Sequence, residues 1–198
     1  MYELEGAEGA VAPGSNLLVE GPALSGKRSF GLRAIERGVE GGAAAAVVTT
    51  TVSAERILPE SLAGADGVGV VDCVTEHFGG TTSNADTLRY ASSPEDLTGL
   101  GIRFSELVEA LLTQRDELWV LLDSLTPLLV YSGQKTIFRF LHVFTSRIET
   151  TGGVGLFTID TPAHDEEELA VLRRLFDGRI GIDVDGNVDV SDLNAPAP

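Results

Sequence analysis

Cysteine is nearly absent from this chain of 198 residues: Cys73 stands alone. No disulfide framework is therefore open to it, and a reducing compartment, the cytoplasm, is the expected location. Three scattered histidines and one cysteine supply no zinc ligand set. Lysine is almost as scarce, since only Lys27 and Lys135 occur among 14 basic residues, set against 30 acidic ones for a formal net charge of −16. That balance argues against DNA or an anionic membrane as the default partner, because phosphate binding draws on Lys and Arg. The acids are spread along the whole chain and not gathered in a tail. Such a spread suits a surface adapted to high salt, where ions screen self-repulsion; the plainer alternative is a merely acidic protein. No apolar run reaches 18 residues, so no membrane span is expected. The first residues, Met-Tyr-Glu-Leu-Glu, have neither the basic nor the apolar region of a signal peptide.

What is present is 43% hydrophobic residue and ample length for a core, enough for one large domain over 1–198. The core is expected at about 14–190, behind a short acidic lead-in and before a Pro-Ala tail. The chain is organised around Asn16 to Phe30. The apolar run Leu17 to Val19 breaks into Gly21-Pro22-Ala23-Leu24-Ser25-Gly26-Lys27, and a helical pattern follows at once. This is G-x-x-x-x-G-K between a strand and a helix, the context in which the phosphate-loop motif carries meaning. Glycines let backbone N–H groups curl around an anion, the helix N-terminus adds partial positive charge, and Lys27 reaches the terminal phosphates. Gly21 to Lys27, with Arg28 and Ser29, are thus the candidate nucleotide-binding residues, against the alternative of an ordinary glycine turn. One position departs from the motif. The Ser or Thr whose hydroxyl holds Mg²⁺ is Arg28.

Along the chain, strands and helices alternate. A helix is expected from about Gly26 to Glu40, a buried strand over Ala43–Thr50, a short helix capped by Ser53 and interrupted by Pro59, and a strand over Val68–Val71. Residues 74–92 carry the least readable pattern, with Gly79-Gly80-Thr81-Thr82-Ser83 as a flexible loop. Ser93-Pro94-Glu95-Asp96 is a helix start with serine as the cap, and Phe104, Leu107, Val108 and Leu111 mark that helix's buried face. Leu118–Leu122 is a strand ending in Asp123-Ser124. Ile137, Phe140, Leu141, Phe144 and Ile148 form another helical stripe, followed by a strand over Val154–Ile159. Asp165 to Glu168 open a helix that Arg173-Arg174 close, and a hairpin around Asp185-Gly186 ends the fold. The predicted architecture is a three-layer α/β sandwich with a mainly parallel sheet.

Asp123, delivered at the C-terminal end of an apolar strand, has the look of a Walker B carboxylate that holds Mg²⁺ directly or through water; a strand-end aspartate capping a turn is the alternative. The two motifs, followed by Asp123-Ser124-Leu125-Thr126, resemble the RecA-like ATPases of the KaiC type over residues 14–184. Ser93 to Ile102, Phe138-Arg139-Phe140-Leu141-His142 and Leu175-Phe176-Asp177-Gly178 resemble small haloarchaeal members related to the gas-vesicle regulator GvpD, described as ATPases implicated in signal transduction. The resemblance implies a RecA/KaiC-like P-loop fold, ATP or ADP as ligand and an unidentified regulatory protein as partner. It also allows a homo-oligomer, since RecA-like domains usually place nucleotide near a subunit boundary.

By the same resemblance, Thr51 and Val52 occupy the positions of acids that polarise the attacking water. Neither accepts a proton at neutral pH, and Glu55 falls in the following helix, facing solvent. Loss of a general base costs roughly 10²–10⁴ in rate, so weak or absent hydrolysis is expected; an active ATPase borrowing a base from another residue or subunit, and a nucleotide-free interaction scaffold, are the alternatives. Ser29 cannot replace the missing hydroxyl, because one residue along a helix rotates a side chain by roughly 100°. Arg28 is expected to point at Asp123 where Mg²⁺ would sit, the alternative being an Arg28 turned to solvent. Asp160 is read as a turn residue or a γ-phosphate sensor, Asp165 as a helix cap beside His164, and His142 as a packed or half-exposed side chain.

Overall fold

In the computed structural model, residues 2–3, 10–82 and 86–190 are described; the acidic lead-in at 4–9, Ser83 of the predicted loop and the tail at 191–198 lie outside them. The sheet is built from β3 (Asn16–Gly21), β4 (Ala44–Thr49), β5 (Val68–Asp72), β6 (Leu88–Tyr90), β7 (Leu118–Asp123), β8 (Val154–Asp160), β9 (Gly178–Ile182) and β10 (Val188–Asp189). A separate antiparallel pair joins β1 (Tyr2–Glu3) to β2 (Ala10–Val11). The eight-stranded order is β10-β9-β3-β8-β7-β4-β5-β6. Every pairing from β9 to β6 is parallel, and β10 alone returns antiparallel on β9.

The central strands are apolar on both faces, as a sheet covered twice requires. Along β7, Leu118, Val120 and Leu122 face one cluster while Trp119 and Leu121 face the other. The second cluster is closed by α1 (Lys27–Glu40) and α2 (Ala54–Ile57). The first is closed by α3 (Leu97–Leu111), α4 (Leu125–Tyr131), α5 (Gln134–Thr150) and α6 (Glu166–Arg173). The predicted three-layer α/β sandwich is what the chain forms. α1 lies close on β7 because a Cβ at Gly31 would stand 2.6 Å from Leu121, and one at Gly38 2.6 Å from the Trp119 ring. On the opposite face Phe104 and Phe144 stack at 4.1 Å between centroids, and Phe157 and Phe176 extend the contact.

Two local readings change and two unread stretches gain elements. Ser53 precedes α2 but makes no side-chain cap hydrogen bond. Within 74–92, Leu88–Tyr90 forms β6, a short half-buried strand at the sheet edge. α3 starts at Leu97 and its cap is Asp96, whose carboxylate accepts from the Gly99 N–H at 2.8 Å, while Ser93 accepts from Glu95 N in the preceding turn. Those donors, the Gly99 amide first and the Ser92 hydroxyl next, hold the Asp96 carboxyl below its usual value of 3.8. α4 fills a stretch the sequence pattern leaves unassigned; Ser124 caps it, and Pro127 fits because a first-turn N–H needs no helical acceptor. Buried Cys73 packs as a core residue, its thiol pushed up to about 12 first by desolvation and then by Asp72 and Asp96.

Candidate functional site

β3 delivers the glycine loop to the carboxyl end of the sheet, where its last residue meets the end of β9. A Cβ on Gly21 would stand 2.1 Å from the Ile182 carbonyl oxygen, so only glycine fits there. The loop then curls through two left-handed residues, Leu24 at φ 64° and Gly26 at φ 94°. Glycine adopts that region freely, whereas Leu24 carries a penalty of about 1 kcal/mol or more. Its side chain is fully exposed, so the strain shapes the backbone and contributes no packing. α1 begins at Lys27 with no side chain capping its first turn, which leaves amides and the positive end of the helix dipole facing the loop.

Lys27 is buried, and its Nζ lies 2.9 Å from Asp160 Oδ1, donates to the Pro22 carbonyl and stands 3.5 Å from Ser25 Oγ. Arg28 turns inward: its Nε donates to Asp123 Oδ2 at 2.8 Å and its Nη2 to Thr51 Oγ1 at 2.7 Å. The Thr51 hydroxyl donates to the same Asp123 oxygen at 3.0 Å, and Thr158 donates to Oδ1 at 2.9 Å. Both oxygens of this buried carboxylate are thus engaged. The ring closes because β8 lies between β3 and β7 in the sheet. Residues 158 and 160 share one face of that strand, and they meet Asp123 on one side and Lys27 on the other. The cavity bounded by these groups, by Ala23 to Ser29 of the loop and by Ser124 measures about 360 Å³.

The other candidates separate cleanly. Asp160 ends β8 but does more than turn the chain, since it holds Lys27. Val52 stays out of the cavity and closes a tight turn with the Thr49 hydroxyl. Glu55 is exposed and lines a different depression with Arg56, Phe78 and Tyr90. His142 is exposed on α5. Asp165 caps α6 through the Glu168 N–H at 2.8 Å, as its position before the helix predicts.

Three residues given no part in a site by the sequence belong to its support. His164 is buried between Glu168 Oε2 at 2.9 Å and the Thr126 hydroxyl at 3.2 Å, and that hydroxyl accepts from the Asp160 N–H at 3.0 Å. Glu20, one residue before the loop, receives Arg173 at 2.7 and 3.0 Å, and Arg173 also donates to Glu166. The Glu20 contact is the main reason the Arg173 pKa is raised. Arg173 is therefore a clamp on β3 as well as a match to the α6 dipole. The one available signal was an acid inside an otherwise apolar strand. Among the described residues, no three His, Cys, Asp or Glu side chains converge as a metal cluster, and no helix is long and apolar enough to cross a membrane.

The same architecture occurs in the crystal structure of the flagellar accessory protein FlaH from Methanocaldococcus jannaschii. It matches with a TM-score of 0.58 over 88% of this chain and 73% of that one, at 14% identity. At that identity the likeness speaks for the fold, which is RecA-like with a P-loop. No curated protein matches the chain. The model of a family of unknown function, DUF7504, matches residues 14–182, and the chain belongs to that family.

Proposed function

We propose that this protein binds ATP or ADP at the glycine loop as a regulatory or signal-transducing module and hydrolyses it weakly or not at all. The observation that carries the reading is the ring of Lys27, Arg28, Asp123, Thr51 and Asp160 around the loop. Phosphate oxygens entering the 360 Å³ cavity would meet loop amides and two cations. Lys27 would exchange Asp160 and the Pro22 carbonyl for phosphate, one charged partner for another, at modest net cost.

The donor set does not suit the Mg²⁺ that the fold usually employs. A guanidinium stands where a hydroxyl ligand is needed, and it competes for the one carboxylate through a 2.8 Å contact. Arg28 instead supplies fixed positive charge beside the phosphates, so nucleotide binding is metal-independent. Hydrolysis lacks a base for a related reason. Asp123 and Asp160 are both committed to cations, Thr51 is a hydroxyl that already donates to Asp123, and Glu55 faces away into another depression. Signal output then follows occupancy of the loop, read by a protein partner, and not turnover.

Calorimetric titration of ATP and ADP in molar KCl, with Mg²⁺ and with a chelator, tests this reading. Binding in both conditions that disappears in Lys27→Ala, with phosphate release at background, is the expected result. Steady phosphate release that Lys27→Ala abolishes would establish an active ATPase instead. Absence of binding by the wild type would leave an interaction scaffold with a relic loop.

A further inference from the structure

We propose that the groove between α3 and α5 is the contact face of a two-fold homodimer, its occupant a second copy of this chain. The groove encloses about 780 Å³ and is floored by Phe104, Phe140 and Phe144. Ile102 on α3 and Val143 on α5 line it yet remain 53% and 69% exposed. Apolar side chains lining a groove on an otherwise acidic surface mark an interaction site.

The charges identify the partner. On the α3 side stand Glu109 and Glu106, the latter already paired with Arg103 at 3.0 Å, and on the α5 side Arg139 and Arg147. Arg139, Val143 and Arg147 are spaced i, i+4, i+8 and so form one stripe. In a chain of net charge −16, neither arginine has an ion pair among the described residues, whereas Lys27, Arg28, Arg103, Arg115 and Arg173 all do. Levels along the two helices also match. The Gly101 Cβ position lies 3.9 Å from the Phe140 ring, Phe104 stacks on Phe144, and Glu109 and Arg147 share the depression at the far end. The helices therefore run in the same direction, with Glu109 and Arg147 at one level.

A two-fold axis along the groove keeps those levels and lays α3 of each copy over α5 of the other. Arg147 of one copy then meets Glu109 of the other, twice by symmetry, and Ile102 and Val143 enter the apolar strip between. A surface complementary to itself in this way is the mark of an isologous contact. A foreign helix would have to present both signs on opposite flanks in the same order. Helices of 15 and 17 residues present roughly 500 Å² per copy, the low end for a specific interface, so the dimer is concentration-dependent.

Sedimentation equilibrium of the full chain in molar KCl, which screens the repulsion between two acidic copies, tests the proposal. The wild type is expected to associate reversibly to a dimer, and Val143→Asp to remain monomeric, with a thermal unfolding midpoint equal to that of the wild type at dilutions where the latter is monomeric. Glu109→Arg should weaken association at least about threefold, and the combined Glu109→Arg/Arg147→Glu variant should recover it, because the exchanged rims still match. A wild type monomeric at every concentration, a dimer indifferent to Val143→Asp, or a combined variant no better than Glu109→Arg would each overturn it.

Discussion

At the carboxyl end of the sheet, Lys27, Arg28, Asp123 and Asp160 each find a charged partner within the chain; along α5, Arg139 and Arg147 stand exposed with none among the described residues. The contrast follows from burial. Lys27 and Asp123 are taken almost wholly out of water, where an unpaired charge costs several kcal/mol, so the fold must hold a counter-charge for each. Arg139 and Arg147 keep their hydration and need no internal partner. In the proposed reading the first region exchanges internal partners for a ligand, and the second offers its charges directly to another surface.

Cutting the floor from under the exposed face should have the largest effect. Phe144→Ala removes a buried ring packed against Phe104, Phe140 and Phe157 and is expected to cost about 3–4 kcal/mol in urea unfolding. Asp123→Ala comes next. It strands the buried Thr158 hydroxyl and half-releases Arg28, and since Arg28 is 39% exposed the loss is discounted to about 2 kcal/mol. A smaller loss of about 1 kcal/mol is expected for Asp96→Ala, which removes the α3 cap. The cap also predicts a pH dependence. Its folded pKa lies below the unfolded value of 3.8, so its contribution is complete above about pH 4 and is lost as pH falls through the folded value. An Asp96→Ala variant should therefore show a shallower acid destabilisation than the wild type. Least of all, Arg139→Gln at the exposed rim should move the unfolding free energy by no more than about 0.5 kcal/mol.

These two regions were not equally open to reading from sequence. The glycine loop and α1 are contiguous, so the apolar run, the turn and the helical period appear together in fifteen residues, and the Arg28–Asp123 contact follows once both motifs are placed on one sheet. The Asp160–Lys27 pair does not follow. It depends on β8 entering between β3 and β7, a fact of topology that neither residue's neighbours record. The α3 start lies in the segment the sequence marks but rests on another acceptor: in Ser93-Pro94-Glu95-Asp96, the Asp96 carboxylate reaches the Gly99 amide, and the serine is left to the turn before it. β6 escaped because three half-exposed residues at a sheet edge carry no apolar period. Glu20 and Arg173, 153 positions apart, were each legible alone and joined only by the fold.

The central claim is that Arg28 stands in for the metal. The most direct measurement is the ratio of ATP affinity with Mg²⁺ to that with a chelator, in the wild type and in Arg28→Thr. A ratio near one in the wild type that rises at least about tenfold in the variant, as a hydroxyl ligand and a freed Asp123 recreate the metal site, is the predicted result. A wild type already dependent on Mg²⁺, or a ratio that Arg28→Thr leaves unchanged, would contradict it.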